Sequence, residues 1–304
     1  MSSISNWFTE MSIQESTRLE IGGIAIGIDW DRSLGSLSSD GLYDNFVTVN
    51  EPEVSLTVHH GLPPSIPRPE QLLFDSQSHW KLFQTDSGSI LTLQSPLDAE
   101  FPYCTATFDG RFRRGDLYRP GPIRSRVGLK LDLPGALDHT LMQILMVSLM
   151  SRGRGMMVHA CGIEHNGRGF LFAGNSGHGK STMAGLWSNK GLVLNDDRIL
   201  LRRRDGVIQM FGTPWHGDYK SGVSRGVPLE RCFILDRGES NKTSCIQTVA
   251  ACSMLLARSF PPLWDEEGMG FTLDFTAGLV AEIPTCELAF VPTQDVVDFI
   301  LCVN

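Results

Sequence analysis

The sequence predicts a mixed α/β chain, with a β-rich region over residues 1–130 and a phosphate-loop nucleotide-binding domain over residues 131–304. Three observations carry this reading. Short runs of alternating polarity crowd the first 130 residues. A long apolar run at helical spacing follows them. A glycine-rich segment, Gly174–Ser181, then lies between an apolar strand and a helix-compatible stretch.

Taken in order, Ile21–Ile28, Phe46–Val49, Val54–Val58, Ser89–Leu93 and Tyr103–Phe108 read as strands, with a proline-rich loop from Gly61 to Pro69 among them. The boundary is expected near Pro120–Pro134. Leu137, Leu141, Ile144, Leu145 and Ser148 then recur at helical spacing, which predicts a mostly buried helix to Met150. Met156–Glu164 and Gly169–Ala173 read as strands joined by Asn166-Gly167, the dipeptide that best fits a tight hairpin turn. Ser181–Asn189 is expected as a helix and Leu192–Leu194 as a strand. Asp205-Gly206 predicts a second hairpin between Ile199–Arg203 and Val207–Phe211. A strand at Cys232–Leu235, a helix around Val249–Arg258, a strand at Glu287–Phe290 and a closing helix over Thr293–Leu301 complete the reading.

The bulk numbers narrow the function classes. The chain has 304 residues, 41% hydrophobic and 20% charged, with a formal net charge of -8. A mildly acidic surface argues against general nucleic-acid or anionic-membrane binding. No uncharged apolar run reaches the roughly 18–20 residues of a membrane span. The start of the chain lacks the basic cluster of a targeting peptide. Seven scattered cysteines without a CxxC pair suggest reduced thiols, mostly buried, in a cytoplasmic protein.

Gly174-Asn175-Ser176-Gly177-His178-Gly179-Lys180-Ser181 fits G-x-x-x-x-G-K-[ST], and Thr182 follows in the expected helix. The glycines let the backbone curl so that successive N–H groups face one phosphate. Lys180 supplies a compact positive charge, the Ser181 hydroxyl suits Mg²⁺, and the helix presents its positive end to the same anion. The motif therefore points to ATP and Mg²⁺ as cofactors. A turn that merely contains Lys is the bland alternative, which the flanking strand and helix disfavour.

Asp196 and Asp197 close a short apolar strand just beyond the expected helix. Carboxylates there could hold magnesium and receive a hydroxyl proton. Neighbouring side chains leave a strand on opposite faces, so the two could divide these tasks. A solvated turn is the alternative. His159, on the strand before the hairpin, is either a core histidine or a site residue. Around Phe211–Asp218, Trp215, His216 and Asp218 could border an acceptor site, or Trp215 could pack inward. Arg225 could neutralise a phosphate or be a solvated surface residue.

A histidine-bearing strand, a tight hairpin, the Gly174–Ser181 motif and a close Asp-Asp pair together resemble the catalytic domain of the HPr kinase/phosphorylase family. ATP-dependent phosphoenolpyruvate carboxykinase is similar at greater distance. The resemblance spans about His159 to Phe299, and His159–Asp197 carries its specific part. It implies that Lys180 and Ser181 bind phosphates and magnesium, that Asp196 is the general base, that Asp197 holds metal, and that His159 lies near the transferred phosphate. The Glu-x-Arg-Gly signature of true HPr kinases is missing. Phe211–Asp218 is instead similar to HPr-kinase-like proteins outside sugar regulation, some of which modify ribosomally made peptides. The expected activity is transfer of the γ-phosphate of ATP to a hydroxyl of a protein or peptide, with a homo-oligomer left open. A small-molecule kinase and a nucleotide-binding regulator without transfer activity are the alternatives.

Overall fold

A computed structural model describes residues 14–32, 41–95, 98–119, 137–220 and 222–303; the expected boundary at Pro120–Pro134 lies outside them. Among the described residues the chain is mixed α/β, with two eight-stranded sheets. The first contains β1 (Gln14–Ile21), β2 (Ile24–Asp31), β3 (Val54–His60), β4 (Leu72–Asp75), β5 (Trp80–Thr85), β6 (Gly88–Ser95), β7 (Asp98–Asp109) and β8 (Arg114–Arg119). Their order is β1-β2-β3-β8-β7-β6-β5-β4. The β2–β3 and β3–β8 pairs are parallel and the rest antiparallel.

Two early strand expectations need correction. Ile21–Ile28 is not one strand: Gly22 and Gly23 turn between β1 and β2, both at positive φ. The apolar run simply continues through the turn. Phe46–Val49 is a 3-10 turn over Asp44–Phe46, followed by an isolated bridge from Val47 to Leu19. Phe46 is buried there without belonging to a strand.

Helix α1 (His139–Met150) starts at Asp138, whose carboxylate accepts from the amides of Thr140 (2.8 Å) and Leu141 (3.2 Å). The Tyr103 hydroxyl donates to the same carboxylate at 2.9 Å. Nine of the helix's twelve residues are buried, the pattern of a helix enclosed on several sides. Its side chains join one apolar cluster with β1, β2, β3 and β8 and with Met157, Leu200, Phe211 and Trp215 of the later half.

The second sheet contains β9 (Gly155–His165), β10 (Arg168–Ala173), β11 (Leu192–Asn195), β12 (Arg198–Arg204), β13 (Val207–Gly212), β14 (Gly226–Arg237), β15 (Lys242–Cys245) and β16 (Thr285–Phe290). Asn166 and Gly167, like Asp205 and Gly206, adopt positive φ in both residues of their turns. That is the geometry a two-residue hairpin needs. β9 pairs with β12 near its start and with β11 near its end. β14 pairs with β13, then runs parallel to β10 and β16. The pairings β10–β9–β12–β13–β14–β10 thus close a ring of strands.

Side chains of β9 alternate between faces. Met156, Val158 and Ala160 join one cluster, while Cys161 and Ile163 join another beneath helix α2 (Lys180–Trp187) and helix α5 (Asp295–Cys302). Helix α3 (Thr248–Leu256) and helix α4 (Glu266–Glu282) cover the first of these faces through Leu255 and Leu279. The sequence reading does not place α4, because Gly268, Gly270, Thr272, Thr276 and Gly278 dilute its apolar stripe. The cysteines also differ from expectation: Cys104, Cys161 and Cys232 are buried, whereas Cys245 and Cys302 are exposed. Among the described residues no helix is long and apolar enough to cross a membrane.

Candidate functional site

The glycine-rich segment joins the end of β10 to the start of α2. Gly174 is buried, Asn175, Ser176 and Gly177 are exposed, and His178 is half-buried, with Nδ1 3.1 Å from the Leu235 carbonyl. Gly177 (φ 78°) and Gly179 (φ 88°) take left-handed conformations that L side chains rarely adopt. A Cβ on Gly179 would also meet the Phe290 ring at 2.7 Å. No side chain caps α2 at Gly179, which leaves the positive helix end directed at the loop. Thr182 is exposed on the first turn.

Lys180 folds back over the loop. Its Nζ donates to the carbonyls of Gly174 (2.9 Å) and Asn175 (3.0 Å), and the residue is 7% exposed. Desolvation lowers the ammonium below the usual lysine range, against the opposing pull of Asp197 and Asp196. Next to it, the Ser181 hydroxyl donates to Asp196 Oδ2 at 2.6 Å.

The two aspartates do separate, as neighbouring strand-end residues should. Asp196 is 1% exposed. Besides Ser181, it accepts from the amides of Gly217 (2.7 Å) and Tyr219 (3.0 Å). Gly217 is required by this approach, since a Cβ there would lie 2.9 Å from Asp196 Oδ2. Asp197 turns the other way. Its Oδ1 lies 2.8 Å from His159 Nε2, and Arg198 Nη1 donates to its Oδ2. Burial works against the Asp197 charge, yet the His159 hydrogen bond and the charges of Arg198, His159 and Lys180 together hold its carboxyl below the usual range.

Three features hold this second pair in place. Asn195 Oδ1 accepts from the amides of Asp197 (2.7 Å) and Arg198 (2.8 Å), which fixes the bend. His159 and Arg198 stand opposite each other in the β9–β12 register, so their side chains share a face. The Arg198 guanidinium also sits 4.2 Å over the Phe260 ring, within cation–π range.

The structure therefore brings together Lys180, Ser181, Asp196, Asp197 and His159. It does not bring Arg225 there: that side chain is exposed and pairs with Glu164 at 3.4 Å, toward the far end of β9. Trp215 packs inward, 3% exposed, with Nε1 3.2 Å from the Tyr43 hydroxyl. Of the two readings of Phe211–Asp218, the one with Trp215 packed inward is the one the structure shows; this segment supplies the amide of Gly217, and Tyr219 just beyond it supplies another. Sequence reasoning missed Asn195, Arg198, Gly217 and Tyr219. Asn before a hairpin is a turn signal that could have suggested Asn195; the two amides are tertiary contacts with no local signal.

Among the described residues no group of three or more His, Cys, Asp or Glu side chains is arranged to hold a metal ion alone. A magnesium ion that binds with a nucleotide does not need one, since phosphates and water supply most of its ligands.

The family model for SynChlorMet cassette protein ScmC matches residues 136–271, which include the glycine-rich loop and both aspartates. Among solved structures, the Hpr(Ser) kinase/phosphatase from Coxiella burnetii is similar at 13% identity, with 48% of this chain and 93% of that chain covered and a TM-score of 0.29. No curated protein matches the chain.

Proposed function

We propose that this chain is an ATP- and magnesium-dependent phosphotransferase that acts on a hydroxyl group of a protein or peptide, and that residues 174–197 form its phosphate-binding core. The observation that carries this reading is the contact of Ser181, next to Lys180, with a buried aspartate, while the adjacent aspartate faces a histidine and an arginine. The ScmC match supports the placement, because it spans these residues. Its description as a cassette protein fits an acceptor supplied by another member of the same set.

The residues fit a magnesium nucleotide. Gly177 and Gly179 leave room for phosphate oxygens where side chains would intrude. Lys180 holds two backbone carbonyls in a desolvated position, from which it can pass to stronger phosphate acceptors. When bound, the nucleotide supplies the phosphoryl group and the metal neutralises charge. The chain's own residues position and shield that charge, which is most of what phosphoryl transfer requires.

The geometry favours a division of labour opposite to the one the resemblance implies. Asp196 is enclosed and committed to Ser181 and two amides. It suits metal holding beside Ser181. Asp197, a quarter exposed at its side chain, can reach an incoming hydroxyl. It would orient that hydroxyl and receive its proton as the oxygen–phosphorus bond forms and the bond to the nucleotide breaks. A depressed carboxyl pKa makes Asp197 a weak proton acceptor, which a loose transition state tolerates because the proton leaves late. His159 and Arg198 hold the carboxylate in place.

Lys180→Ala tests the nucleotide assignment. A ligand at one hundred times its dissociation constant stabilises the fold by about 2.7 kcal/mol. The wild type is expected to melt at a higher temperature with ATP and magnesium, and the variant to show no such rise. Equal stabilisation of both proteins would remove the phosphate loop from the argument.

A further inference from the structure

We propose that an arginine-lined cleft, between the β7–β8 turn and the start of α4, docks an acidic stretch of the acceptor peptide or protein; the identity of the occupant rests on the phosphotransfer reading above. The cleft encloses about 700 Å³. Arg111 and Arg113 line it from the turn, Arg152 and Arg154 from the end of α1, and Asp265 and Glu267 from the opposite wall. Four arginines on one cleft stand out in a chain of net charge -8.

The four differ in what they do. Arg154 pairs with Glu53 at 2.8 Å. Arg152 lies 3.6 Å from Asp265, donates to the carbonyls of Ser148 (3.1 Å) and Gly110 (3.2 Å), and sits 4.8 Å over the Phe112 ring. These two build the wall. Arg111 and Arg113 are exposed, and their guanidinium groups have no partner among the described residues. Their backbone amides are fixed by Asp109, at 3.1 and 2.8 Å. The turn thus holds two free cations over the opening.

The shape favours a chain over a small anion. A second cavity of about 580 Å³ shares Arg152, Asp265 and Glu267 and continues to Trp264. A compact anion is bound by donors that converge on one point. Here the positive groups are spread along a trough, with Arg111 and Arg113 on one side and Asp265, Glu266 and Glu267 on the other, so the unpaired positive charge lies at the β7–β8 turn, which suits carboxylates spaced along a peptide. The trough also leads toward the candidate site. The Arg258 carbonyl accepts from the His159 amide at 2.7 Å, and the Met157 carbonyl from the Phe260 amide at 2.9 Å. Arg258–Asp265 therefore runs from beside His159 to the cleft wall, stiffened by Pro261 and Pro262. From Gly155 to His159 the strand rises about 13 Å, at about 3.3 Å per residue.

The probe is fluorescein-labelled hexaglutamate, followed by anisotropy with the full chain at low salt and without nucleotide. Wild type should bind it, should not bind labelled hexaglutamine, and should lose affinity as salt screens the charges. The double variant R111E/R113E should weaken binding at least about tenfold with an unchanged melting temperature. R111Q/R113Q should weaken it less, and K242E, on β15 and outside both cavities, not at all. No binding by wild type, equal binding by R111E/R113E, or displacement by inorganic phosphate of matched charge would each overturn the proposal. Because nucleotide is absent, a failed ATP-stabilisation test would remove the phosphotransfer reading and leave the peptide result standing.

Discussion

Asp197→Asn is expected to lower phosphoryl transfer by about 10²–10⁴-fold while leaving nucleotide binding near wild type. Asp197 touches His159 and Arg198 rather than Ser181, so its loss should reach the acceptor and spare the phosphates. The isosteric amide keeps the volume but loses the negative charge between two potential cations. The measurement pairs transfer of labelled phosphate with nucleotide affinity. A variant that transfers at the wild-type rate would return the base role to Asp196.

The same aspartate sets a pH expectation. Its folded-state carboxyl is held below the usual range. A depressed pKa means that the ionised form, and the stability it contributes, is present above the unfolded pKa and is lost as pH falls through the folded one. Transfer should therefore show no carboxylate inflection around pH 4, near the unperturbed aspartate pKa of about 3.9, and should decline only below it. An inflection at or above that value that disappears in Asp197→Asn would contradict the depressed pKa.

Asp196→Asn is expected to fail differently, with loss of magnesium dependence and a clear loss of stability. In the wild type one buried carboxylate accepts from a hydroxyl and two backbone amides. An amide side chain presents a donor where one oxygen stood, so at least one of those donors is left unpaired. A buried unsatisfied group costs about 1–3 kcal/mol. For a domain of 150–250 residues each kcal/mol lowers the melting temperature by about 2–4 °C. Calorimetry of the variant, with and without ATP and magnesium, reads both effects. A wild-type melting temperature together with an intact magnesium response would show that Asp196 is not the buried anchor described.

What the sequence made legible was local. The Asn166-Gly167 and Asp205-Gly206 turns need positive φ at neighbouring positions, and few dipeptides supply it. Gly174–Ser181 is legible for a similar reason, since its backbone path demands glycine at Gly177 and Gly179. The Asp pair was visible, but the enclosure of Asp196 was not. That depends on Gly217 and Tyr219, which lie more than twenty residues away and meet Asp196 only through the fold. Trp215 was ambiguous because no local pattern says which side of a turn is covered; the Tyr43 hydroxyl that receives its N–H belongs to the first half of the chain. Ile21–Ile28 misled through composition, since the turn glycines interrupt an otherwise continuous apolar run.

The closed ring of strands has a consequence for the order in which the molecule assembles. β10, which carries the glycine-rich loop at its end, lies between β9 and β14. The β9 side is a hairpin and can form as soon as both strands exist. The β14 side is a parallel pairing that sets Phe170 against Arg231 and Ala173 against Ile234. Such non-local pairings close large loops and form slowly. During synthesis the hairpin and the Asp pair therefore emerge before the strand that encloses them. The loop acquires its fixed seat only when β14 is made, and Phe290 of β16, which backs Gly179, arrives later still. The fixed geometry of the glycine-rich loop is in this sense a late event in folding, although the residues that form it lie near the middle of the chain.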